Sequence, residues 1–197
     1  VSQFVVARGG LSAGRAERLM DETRDRSIML VASRSHEDDM LALMRHLRAT
    51  GHLTAGLILR ALLSGNLDLF SHALAELADL PCARVMALVH DGASASLKAL
   101  LKRAGLPEAT HAAFRAALEA IREIGFVDSE GGAAGLQRRM VERVLTRCET
   151  DAAVADPLLI LLRRFATESA RDEANRFCGE LLAEDALAEQ GQRWMVA

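Results

Sequence analysis

LTAGLILRALLSGNLDLFSHAL, residues 53–74, lies without a gap over LPCARVMALVHDGASASLKALL, residues 80–101. Leu53 meets Leu80, Ile58 meets Val85, Leu62 meets Val89, Gly65 meets Gly92, Phe70 meets Leu97 and Leu74 meets Leu101. A shorter copy precedes them. LSAGRAERLM, from Leu11, shares Leu-[Ser/Thr]-Ala-Gly with the stretch from Leu53 and sets Arg18 over Arg60. A further start stands at Leu106-Pro107. Each copy thus opens with Leu followed by Ser12, Thr54, Pro81 or Pro107. Ser and Thr cap the unpaired N–H groups of a helix start, and Pro suits the first turn, where its missing N–H is not required. The Leu before them folds back on that turn as a hydrophobic staple. Gly65 and Gly92 supply the left-handed residue that ends the first helix. Such units are helix pairs, whose apolar faces are buried only by stacking on a neighbour.

The same punctuation places helices at roughly 12–24, 26–33, 36–49, 54–64, 67–79, 82–90, 94–104, 108–124, 133–149 and 156–184. Phe114, Leu118, Ile121 and Ile124 recur at helical spacing, and Gly125 reads as the stop. Asp156-Pro157 is a helix start. Leu158 to Leu162 is apolar all round the helix and is expected to be deeply buried. The fold class is therefore all-α: HEAT-like helix pairs over 11–107, stacked as a short right-handed solenoid, then longer helices over 108–184. Residues 1–184 read as one domain with the loop Asp128–Gly132 inside it, and 185–197 as a C-terminal tail.

Composition agrees. Aromatics are 4%, with no Tyr and one Trp, whereas sheets lean on aromatic and β-branched residues. A net charge of −3 gives no global drive toward nucleic acid or anionic lipid. Cys82, Cys148 and Cys178 are widely spaced, form no CxxC motif, and read as small apolar fillers in a reducing cytoplasm. No apolar run reaches the length of a membrane span. The N-terminus lacks a signal-peptide pattern and an initiator Met, which fits a piece of a longer protein.

The run from Leu41 to Pro107 resembles the bacterial family DUF2336. The residues that carry the likeness are LRATGHLTAGLILRALLSGNLDLFSHALAELADLP (47–81) and ARVMALVHDGASASLKALLKRAGLP (83–107). They show the Leu-Thr helix start, the Gly-[Asn/Asp]-Leu-x-x-Phe second helix, the Leu-Ala-x-x-Pro turn and the Ala-Gly-[Leu/Met]-Pro close of that family. The resemblance implies HEAT-like helical repeats and brings no catalytic residues with it.

Two side-chain groups carry candidate chemistry. His90-Asp91 is the adjacent pair that helical HD-type phosphohydrolases use to hold a metal, with His72 as the distant ligand and Asp128, Asp151 or Asp156 as the last. Against this, the repeat sets His90-Asp91-Gly92 at the end of a first helix, where His meets the negative end of the helix dipole and Asp-Gly is an ordinary turn. The second group is Arg139, Arg143 and Arg147, four apart and so on one helical stripe, with Arg138 beside them. It suits an anion or an acidic partner, or else a solvated face that Glu142 and Glu149 partly neutralise. The expectation is a non-catalytic module that binds another protein, with no metal, cofactor, nucleic acid or membrane. Trp194-Met195-Val196 is a candidate homodimer contact. The alternative is an HD-like metal phosphohydrolase using His72, His90 and Asp91.

Overall fold

The computed structural model describes residues 12–91, 94–124, 132–151 and 156–195. Among them are nine helices and no strand. In chain order these are α1 (Ala13–Ala32), α2 (Glu37–Ala49), α3 (Ala55–Leu63), α4 (Leu67–Ala78), α5 (Cys82–Asp91), α6 (Ser94–Arg103), α7 (Glu108–Ile124), α8 (Gly132–Thr150) and α9 (Asp156–Met195). The all-α expectation holds. Two boundaries differ from the sequence reading. The expected break near residue 25 does not exist, because Asp25-Arg26 is polar but contains neither Gly nor Pro. The last helix runs on to Met195, past the expected end at 184, because Ala, Leu, Glu and Gln propagate a helix whether or not it is buried. Gly92, Gly125, the loop from Asp128 and Val196 lie outside the described residues, as do the side chains of Trp194 and Met195.

The starts and stops work largely as their residue types dictate. The Thr54 hydroxyl accepts the Leu57 N–H at 3.2 Å, a true side-chain cap. Ser12 makes no such bond; its carbonyl alone receives the Arg15 and Ala16 N–H groups. Pro81 and Pro107 stand just before their helices rather than in the first turn, and their carbonyls accept from Val85 (3.2 Å) and Thr110 (2.9 Å). The Gly65-Asn66 pair does two jobs. Gly65, at φ 75°, lets the Asn66 N–H reach the Ala61 carbonyl at 2.9 Å and so closes α3. The Asn66 side chain then accepts the Leu69 N–H at 2.9 Å and opens α4.

The chain divides into two compact units, one within residues 1–61 and 66–105, the other within 62–65 and 106–197. In the first, α4 is the central element and packs against α2, α5 and α6. It buries Leu69, Phe70, Ser71, Ala73, Leu74, Ala75 and Ala78, most of its circumference. Its last carbonyls, which no intrahelical N–H can reach, are met by arginines from two neighbours. Arg48 donates to the Glu76 carbonyl at 2.6 Å, and Arg103 to the Ala78 carbonyl at 2.7 Å. Between α1 and α3, Arg60 is 7% exposed and pairs with Asp25 at 3.6 Å. The aligned positions of the two longer copies are buried alike: Ile58 with Val85, Leu62 with Val89, Phe70 with Leu97, Leu74 with Leu101. In the shortest copy Arg18 is exposed where its counterpart Arg60 is buried, and Leu19 is 42% exposed where Ala61 is buried.

In the second unit α8 packs against both α7 and α9. Two ion pairs, Arg138–Glu173 at 2.6 Å and Arg163–Glu149 at 2.8 Å, fix α8 and α9 as antiparallel. α8 begins less than two turns before Arg138, so it runs out near residue 180 of α9. Beyond Glu173 the longer helix is therefore progressively uncovered. Phe177, Leu181 and Leu182 are 60%, 46% and 70% exposed, so the apolar face that begins at Phe165 is not buried along its length. Nor is the run Leu158–Leu162 buried all round: Leu158 and Leu162 are, but Ile160 is 58% exposed. Cys148 fills the core as expected, whereas Cys178 is exposed. No helix among the described residues is long and apolar enough to cross a membrane.

Candidate functional site

The first unit has an open groove of about 490 Å³ between α2 and α4, closed at one end by the turn into α5. From α2 it takes Glu37, Leu41, Arg45 and Arg48, residues that share one face because they are spaced by four, four and three. From α4 and the turn come His72, Glu76, Asp79 and Cys82. Arg48 is committed: it holds the Glu76 carboxylate at 3.2 Å as well as the carbonyl. The His72 ring donates from Nδ1 to the Asp68 carbonyl at 2.8 Å. Its Nε2 is buried and has no hydrogen-bond partner among the described residues.

Burial, then the nearby charges of Glu37 and Asp68, push the Cys82 thiol above its ordinary range, so it stays protonated. Burial, and then Asp151, do the same to Cys148.

His72 lines this groove, while His90 and Asp91 stand exposed at the end of α5 and take no part in it. Among the described residues no three His, Cys, Asp or Glu side chains converge on a point that would hold a metal. Asp151 and Asp156 belong to the other unit, and Asp128 lies outside the described residues.

The four arginines of α8 do not form one free stripe. Arg138 turns to α9 and bonds Glu173, and also Glu142 at 2.8 Å. Arg147 turns to α7 and bonds Glu123 at 2.6 Å and Glu119 at 3.3 Å; Arg143 pairs with Glu123 too. Arg139 is exposed, with no ion pair among the described residues. The shallow surface lined by Arg139, Glu142, Arg143, Thr146 and Arg147 is largely self-neutralised.

The double pairing has a pH signature. The hydrogen bond from Arg147, with the charge of Arg143 beside it, holds the Glu123 carboxyl below the usual carboxylate range. A depressed carboxyl adds stability above its unfolded pKa, and this is lost as pH falls through its folded value. Glu123→Gln is expected to flatten the acid limb of the stability curve of the second unit. Thermal melts between about pH 2 and pH 6 check it; the effect is modest because the pair is solvent-screened.

Sequence reasoning missed Glu37, Arg45, Arg48, Glu76 and Asp79 as a group. The one readable signal was the stripe on α2; the facing half comes from a helix that only the tertiary packing brings near.

A family model described as an uncharacterised protein conserved in bacteria (DUF2336) matches residues 1–153. The match takes in α1 to α8 and stops before α9. No curated protein and no solved structure matches the chain.

Proposed function

We propose that this chain, which belongs to the DUF2336 family of uncharacterised proteins conserved in bacteria, is a non-catalytic module that binds another protein on stacked helix pairs. One observation carries the reading: the second helix of a pair, α4, is enclosed by the elements on either side of it in the chain, and equivalent positions of α3–α4 and α5–α6 are buried alike. That pattern supports a HEAT-like stack, in which each pair covers its neighbour and the outer faces are left for a partner. The module works in the cytoplasm, a setting that its three free cysteines fit.

The test has two arms. Chemical crosslinking of the tagged chain in its own cells is expected to recover one other protein in fixed proportion. Elemental mass spectrometry of the purified chain, alongside His72→Ala and His90→Ala, is expected to find no stoichiometric metal. Metal at one equivalent that either substitution removes would overturn the reading in favour of a metal phosphohydrolase.

A further inference from the structure

We draw no further inference here: the strongest candidate, the exposed apolar patch of Phe177, Leu181 and Leu182 on α9, carries nothing because nothing in the structure shows what covers it.

Discussion

Phe70→Ala is expected to lower the unfolding free energy by about 4 kcal/mol, the range for emptying a fully enclosed aromatic site. Phe70 is 0% exposed and sits on α4, which packs on three other helices, so no single neighbour can relax into the space. The measurement is a urea titration: the midpoint should fall while the slope stays unchanged. Phe177→Ala on α9 is the matched control. That side chain is 60% exposed, and its loss should cost no more than about 0.5 kcal/mol. Equal losses at the two positions would mean that α4 is not the centre of its unit. If the alanine variant does not accumulate, Phe70→Leu should show the same direction at about 1 kcal/mol.

Asp25→Ala is expected to cost about 3 kcal/mol, because it strips the neighbouring carboxylate from a buried arginine. Arg60 is 7% exposed; Asp25, on α1, faces it at 3.6 Å with its side chain 23% exposed. The penalty includes the weaker compensation of a buried guanidinium as well as the worth of the pair. Arg60→Met combined with Asp25→Ala should therefore recover most of the loss, since a buried ion pair replaced by an apolar side chain of similar volume is close to neutral. Denaturation of the two single variants and the double variant gives the coupling directly. A double variant as unstable as the sum of the singles would place the stabilisation elsewhere.

Much of the fold could be read because its signals are local. The Gly65-Asn66 dipeptide encodes a stop and a start in two residues, through a left-handed φ and a side-chain acceptor, and both need only neighbouring backbone. The paired burial of Phe70 with Leu97 and of Leu74 with Leu101 follows from position in a repeat. Errors arose where the deciding contact is distant. Leu158–Leu162 looks fully apolar, yet only the side toward the unit's core is covered, and no local pattern says how wide that side is. Arg139, Arg143 and Arg147 share a stripe in sequence with Arg138 beside it, but Arg138 and Arg147 are claimed by glutamates on different helices, thirty-five and about twenty-five residues away. The groove is harder still to foresee, since its two walls are joined only by packing.

The two arginines that meet the carboxyl end of α4 have a consequence for removing a helix pair from this chain. Arg48 and Arg103 belong to helices on opposite sides of α4 in the chain, and each satisfies carbonyls that would otherwise be stranded. Deleting one helix pair by recombination would join two cut ends cleanly in sequence while leaving one of those carbonyl groups without its donor. A neighbour carrying an arginine at the matching turn would restore the donor. The end of α4 is thus completed by its neighbours in the chain and not by α4 alone.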